Sequence, residues 1–436
     1  MSKLKYGVAS IAVAAMIIGG LPYIVKNSID TIIEKEKNEL SSKGMELKVM
    51  SHTGYFESTR KINIEFTDSI KMLDYMAEIT NLDIETVREL TNNGLIFSDI
   101  SFKAIVTNSN LFSQTIKTKI SLDKLPLELQ NKMEQDKQLD SFIKSLLLNI
   151  DFDMEGKVTF VSLNDIIIKE NDVEVKVIKP ELTIAKDIYN TRIQNITFNV
   201  NQDDEYTLLY LDDINDTLRY TDEFDFEEKA NIATMKFHYK NKYSGADVQY
   251  ESSNNLIQTN ANIQEENLNV SLGYDINDLV FRMQSTDTQI DKFVFNIDFN
   301  EIKEKPLRVL NDSFTNEYEF ARILVPNVQE IVNEGFKINI ASKINNLTNV
   351  NVSAKEIGMD LKFALAKNTL DQNSRIDTMI QYLTADGQIS LDEETVEKIS
   401  FMFPVAQYNT NIKKGISYFD IELKDNNLMI NGIKIR

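Results

Sequence analysis

The chain of 436 residues carries a formal net charge of −20, no cysteine, no tryptophan and only two histidines. That excludes disulfide frameworks, thiolate zinc sites and thiol nucleophiles, and it leaves no basic footprint for nucleic-acid phosphates. At 42% hydrophobic and 26% charged, the composition suits a packed core rather than global disorder.

Tyr6 to Val25 is an uncharged run of 20 residues, flanked by Lys3 and Lys5 before it and Lys26 after. Twenty helical residues at 1.5 Å each cross a hydrocarbon core of ~30 Å. Tyr6 and Tyr23 near its ends suit the two interfaces. A cleaved leader is the competing reading, but Ala12-Val13-Ala14 leaves too short an apolar stretch upstream, and Gly19-Gly20-Leu21-Pro22 is a poor cleavage site. Residues 1–26 are therefore read as a cytoplasmic tail and transmembrane anchor, with residues 27–436 an extracytoplasmic β-rich body. The lysines before the run set that orientation. Ser10/Ala14 and Ala15/Gly19 give small-xxx-small spacing, compatible with a homodimer.

Past the anchor, Ser28–Ser42 has one apolar stripe among charges and suits a helix. The period then changes to two. Met45 to Met50 alternates, a turn is expected at Ser51–Gly54, and Ile62 to Phe66 alternates again, which predicts a hairpin. The same period returns at Ile150–Met154, Val173–Val177, Phe293–Phe299, Phe336–Ile340 and Met359–Leu365. Each predicts a strand with one apolar and one polar face, as in antiparallel sheet. Short helices are expected at 69–80, 83–91, 126–135, 140–148, 327–333, 375–383 and 392–401, grouped into zones at about 69–148 and 305–401. The fold class is thus mostly β (α+β): extended antiparallel sheet with peripheral short helices, behind one N-terminal transmembrane helix.

Asp203 to Glu228 holds eleven acids against Arg219 alone. It reads as a solvated edge or loop, since neither the spacing nor a glycine for a calcium loop is present. His52 falls in the expected turn and His238 in the strand Met235–Tyr239. Neither lies near a Gly-x-Ser-x-Gly elbow, and the 14 glycines form no phosphate loop. No catalytic, cofactor-binding or metal residue is assigned, and no cofactor is expected. The abundance of Asn, Ile and Lys looks like coding bias and carries no functional reading.

Two stretches resemble the YdgA-like family of bacterial envelope proteins of unknown function. His52-Thr-Gly54-Tyr-Phe56-Glu-Ser58 is similar to that family's Gly-x-Phe-x-Ser pattern, with Gly54, Phe56 and Ser58 matching and Thr53 replacing the usual basic residue. Ile421 to Gly432 is similar to its closing strand–turn–strand, which ends on Asn431-Gly432. Asn426 or Asn427 stands where a turn glycine is usual, and asparagine tolerates positive φ. The resemblance implies a bacterial inner-membrane, single-pass protein with its body in the periplasm, and supplies no activity. Residue by residue, the same positions suit structural roles: Gly54 a turn, Phe56 a core anchor, Ser58 a strand hydroxyl.

The functional expectation is a non-enzymatic binding protein for a lipid-like ligand or an envelope protein partner, because the one-sided strands leave an apolar face to cover. The alternative is a structural or assembly factor of the envelope, dimeric or not, with no small ligand.

Overall fold

The computed structural model describes residue 37 and residues 40–435, apart from 54–56, 69, 72–73, 76–100, 110–114, 126, 128–129, 132–133, 135–146, 154–156, 171, 285, 313–316, 351–352, 370–377, 379, 401–404 and 409–410. The proposed anchor lies outside the described residues. Among those described, no helix is long and apolar enough to cross a membrane. Two compact units divide the chain, residues 1–186 with 190–198, and 187–189 with 199–436.

In the first unit, β1 (Met45–Thr53), β2 (Glu57–Phe66), β3 (Ser101–Ser109), β4 (Thr115–Lys124), β5 (Leu148–Asp153) and β6 (Val158–Leu163) form an antiparallel meander. β9 (Glu181–Ala185) adds to β6, and β7 (Ile166–Glu170) forms a hairpin with β8 (Val173–Ile178). The predicted first hairpin is present, but His52 is in strand β1 opposite Thr59 rather than in the turn. Leu148 opens β5 instead of closing a helix, because its alternation with Ile150 and Phe152 puts all three on the buried face.

Two cross-strand rows on that face are wholly apolar, Leu47, Ile64, Phe102 and Leu122, then Ile62, Ala104, Ile120 and Leu148, and the next adds buried Arg60 and Thr118 to Val106 and Ile150. They are sealed. Ile150 is 0% exposed, and Phe66 and Phe152 are 1% exposed. Leu40 and Tyr75, both helical, pack on this core.

The second unit is a longer meander: β11 (Glu205–Asp222), β12 (Asp225–Asn241), β13 (Ala246–Gln264), β14 (Asn267–Met283), β15 (Thr286–Lys303), β16 (Phe336–Asn349), β17 (Ser353–Leu365) and β18 (Leu383–Asp392). β18 pairs with β20 (Ile416–Lys424). The other side of β20 takes β19 (Asn411–Lys413) at one end and β21 (Asn427–Ile430) at the other. Past Asp203 and Asp204, the acidic stretch is therefore strand β11, a tight turn and the start of β12 rather than a loop. Its Tyr, Leu, Ile and Phe residues alternate with the acids and hold it in the sheet.

Two helices interrupt the meander between β15 and β16: α1 (Glu304–Asp312) and α2 (Glu317–Glu334). The nine residues of α1 span about 13.5 Å, close to the ~14 Å across three strand spacings from β15 to β12. From its middle, Arg308 reaches Glu223 at 2.8 Å and Asp222 at 3.4 Å in the β11–β12 turn, with its guanidinium over the Phe224 ring. Gly335 ends α2 with φ +82, its N–H donating to Ile331 and Val332 carbonyls. A Cβ there would collide with the Leu365 carbonyl, so the helix stop and the return to the sheet depend on glycine. The predicted helix at 327–333 is the end of α2, and that at 392–401 contains α3 (Glu393–Ile399). At 375–383 the described part is mainly a 3-10 turn, Ile380–Tyr382, before Leu383 enters β18.

Candidate functional site

In antiparallel sheet, directly paired residues share a face. Following the pairings from β14 through β15 and β16 to β17 gives four rows. They are Val270, Phe299, Ile338, Phe363; Leu272, Ile297, Ile340, Leu361; Tyr274, Phe295, Ser342, Met359; and Ile276, Phe293, Ile344, Ile357. Ser342 and the Tyr274 hydroxyl are the polar groups in that grid. The opposite face carries Ser271, Asp275, Asn296, Asp298, Asn339, Lys343, Asp360 and Lys362 among smaller residues.

The next row is offset. Leu279, Ile290, Leu347 and Ala354 pair across the same four strands, but each lies three residues from its apolar neighbour rather than two. A step of three reverses the alternation unless the backbone absorbs one residue. It does so here: Asp278 and Asn346 take left-handed conformations at this level, as do Asp213 in β11 and Asn254 in β13. In β13 the result is visible in a side-chain contact. Ser252 Oγ lies 2.6 Å from Asn255 Oδ1, so two residues three apart share one face, both buried. On the solvent side, Asn346 donates to Asp291 at 2.7 Å and Ser253 to Asp278 at 2.8 Å. A line of inserted polar residues thus crosses the sheet and keeps its apolar face continuous.

Over the middle of the grid the described residues place no second sheet, whereas the margins of the face are closed, with Ile232, Ala261, Leu268, Ala354 and Leu365 buried. β11, β15 and β16 contain no buried residue, and the side chains of both faces are half-buried or exposed. On β15 and β16 the apolar-face side chains are half-buried, and the exposed ones lie on the polar face or at the inserted residues. At ~25 cal/mol per Å², a few tens of Å² left in water cost about 1 kcal/mol for each large apolar side chain. The continuous apolar area exceeds the isolated contacts that a surface carries without consequence.

Two acids interrupt the face at β11 and β12. Asp216 pairs with Ala230 in the row of Ile257 and Tyr274, and Glu228 pairs with Leu218 one row away. Burial, then the charge of Glu228, pushes the Asp216 carboxyl above its ordinary range. Its Oδ1 is buried without a partner. At one end of the face, α1 crosses the strand ends with Pro306 and Leu310 buried. Leu324, Val325 and Val328 of α2 remain exposed there.

Gly54 and Phe56, the first family-like residues, lie outside the described residues; Ser58 is in β2 opposite Thr53. Asn431 and Gly432 form the turn after β21, with φ +47 and +76. Asn431 also fills the notch that β19 and β21 leave beside β20. Its Oδ1 accepts from the Asp420 N–H at 2.7 Å, and its Nδ2 donates to the carbonyls of Tyr408 at 2.6 Å and Tyr418 at 3.0 Å. One amide therefore replaces missing strand pairing. Asn431→Ala is expected to cost about 2–4 kcal/mol, three hydrogen bonds at roughly 1 kcal/mol each plus the left-handed φ. A denaturant midpoint unchanged from wild type would show that the notch is satisfied otherwise. The preceding turn places Asp425 and Asn426 at positive φ.

No family model, curated protein or solved structure matches this chain. The site is therefore read from its own geometry. His238 Nε2 lies 3.0 Å from Asp247, against the Tyr206 ring. Asp247 also accepts from Gln249 at 3.2 Å and has Lys240 at 3.6 Å. The Gln249 hydrogen bond, followed by those charges, holds its carboxyl below the ordinary range. With no serine or second base in this set of contacts, it is a surface ion network. Among the described residues, no group of three potential metal ligands occurs.

Proposed function

We propose that the chain is a non-enzymatic, membrane-anchored periplasmic protein of the YdgA-like type, whose second unit holds a lipid-like ligand on the apolar face of its sheet. The observation that supports this is the four-strand apolar grid, half-exposed and continued by the line of inserted residues rather than broken by it. Acyl chains match such a face because they bury apolar area without requiring polar partners. An anchor at residues 6–25 would keep the face close to a supply of them. A water-soluble small molecule would need convergent polar groups, and the grid offers only the hydroxyls of Ser342 and Tyr274.

The test uses the full chain in its membrane. A phospholipid with a photoactivatable acyl chain is crosslinked in cells, and the labelled peptides are mapped. Crosslinks within 270–299 and 338–363 are expected, separate from those at the anchor. Phe295→Glu and Phe363→Glu should remove them while the circular dichroism spectrum is kept. Labelling confined to residues 1–26, with the two variants simply unfolded, would mean that the face is covered by protein. The assembly-factor reading would then replace this one.

A further inference from the structure

The hydrophilic face of the second unit carries a separate feature. Near the ends of β13 to β16 the surface sinks into a concavity of about 1060 Å³, lined by Asn262, Gln264, Asn267, Asn269, Asn300 and Asn339 with a few charged neighbours. Ligand pockets typically enclose about 300–1,000 Å³. Backbone irregularities shape this one. Glu265 and Glu266 turn the β13–β14 hairpin with positive φ. The pairing of β14 with β15 slips between Leu268 and Val270, where Glu301 adopts φ +61 and donates its N–H to Asn269 Oδ1 at 3.1 Å. Asn269 in turn donates to Asn262 at 3.3 Å, and Lys337 forms an ion pair with Glu301.

From these residues we infer that the concavity is a binding site for a neutral oligosaccharide. Among the described residues, the side-chain amides of Gln264, Asn300 and Asn339 have no hydrogen-bond partner. Each presents a donor pair and an acceptor, which is what a sugar hydroxyl, itself donor and acceptor, requires. The lining has no large apolar side chain for a lipid, and its one lysine is already paired, which leaves nothing for a phosphate. A peptide strand is recognised through backbone groups at a sheet edge. Here the backbone of β13 to β16 is engaged in pairing on both sides, and the lining is made of side chains, six amides beside Glu265 and the Glu301–Lys337 pair. Hydroxyl-rich chemistry is the class that remains.

Isothermal titration of the full chain, in a detergent without a sugar headgroup, tests this with three probes: maltotetraose, cellotetraose and chitotetraose. At least one should bind with a millimolar or tighter Kd. The Asn300→Ala/Asn339→Ala double variant should weaken that binding about tenfold or more, an unremarkable consequence of losing two amides. Its unfolding midpoint should stay at the wild-type value, since neither amide bonds to protein. Absence of heat from all three probes at millimolar concentration overturns the proposal, as does equal binding by the double variant. Phe295→Glu should leave sugar binding intact, which separates this site from the apolar face.

Discussion

Phe152→Ala is expected to destabilise the first unit by about 3–5 kcal/mol, whereas Phe295→Ala should cost the second unit only about 1 kcal/mol. The two residues are the same type, both in an antiparallel strand and both on its apolar face. They differ in what lies above them. Phe152 is 1% exposed within a closed cluster, so truncation removes its transfer energy and leaves a cavity. Phe295 is half-buried in a single layer, where truncation opens no cavity and the side chain had given up only part of its contact with water. Hydrogen exchange followed on peptides of β5 and β15 reports each unit by itself, which a global melting curve would not. Equal losses at the two positions would mean that the second face is sealed in solution, and the ligand proposal would lose its physical basis. Addition of an acyl-chain lipid should raise the protection of β15 in the wild type and raise it less in Phe295→Ala.

Much of this contrast can be traced in the sequence, and the untraceable part has a physical cause. Alternation at Phe293–Phe299, Phe336–Ile340 and Met359–Leu365 marks strands, and those strands are present with their apolar residues in register. Their length was hidden because a search for strict alternation stops at the inserted residue. Ile276 and Leu279 belong to one strand although the period breaks between them. The signal was an Asp or Asn in the gap, at Asp278 and Asn346, the residue types that most readily take positive φ. Asp203–Glu228 misled for a similar reason: charge density suggests solvent, yet a strand needs only its alternate residues to be apolar. The asparagines of the concavity carried no signal, since an abundant residue type becomes informative only when the register places several of them together. Exposure itself is not written in local pattern. Ile62, Ile64 and Phe66 alternate just as Phe293, Phe295 and Ile297 do, and only the covering elements distinguish the sealed face from the open one.

Asp392→Ala is expected to cost about 3–5 kcal/mol and to change the response of the second unit to acid. Asp392 ends β18 and caps α3, and it is 4% exposed. Its carboxylate accepts from the Thr395 N–H at 3.0 Å, the Thr395 hydroxyl at 2.8 Å and the Lys355 N–H at 3.0 Å. Burial alone would push the carboxyl up; the bonds from Thr395, Lys355 and the Glu356 N–H outweigh it, and the net shift is downward. Alanine leaves those donors buried and unpaired, at roughly 1–3 kcal/mol each before relaxation. Because the folded group titrates below the unfolded one, its stabilisation is complete above the unfolded value, near ~4, and disappears as pH falls through the folded value. Asp392→Asn keeps an acceptor but cannot titrate, so its stability should decline less steeply below about pH 4, and the gap to wild type should narrow there. Parallel acid limbs for wild type and Asn, measured by denaturant midpoints, would remove Asp392 from this role. The position matters for the apolar face because α3 packs on β17, β18 and β20, where Ala354, Val396 and Phe419 are buried. Asp392 fixes the helix that closes this corner. Loosening it should extend the exposed apolar face into β20, so the Ala variant, kept folded at neutral pH, should bind a hydrophobic dye more strongly than Phe295→Ala does.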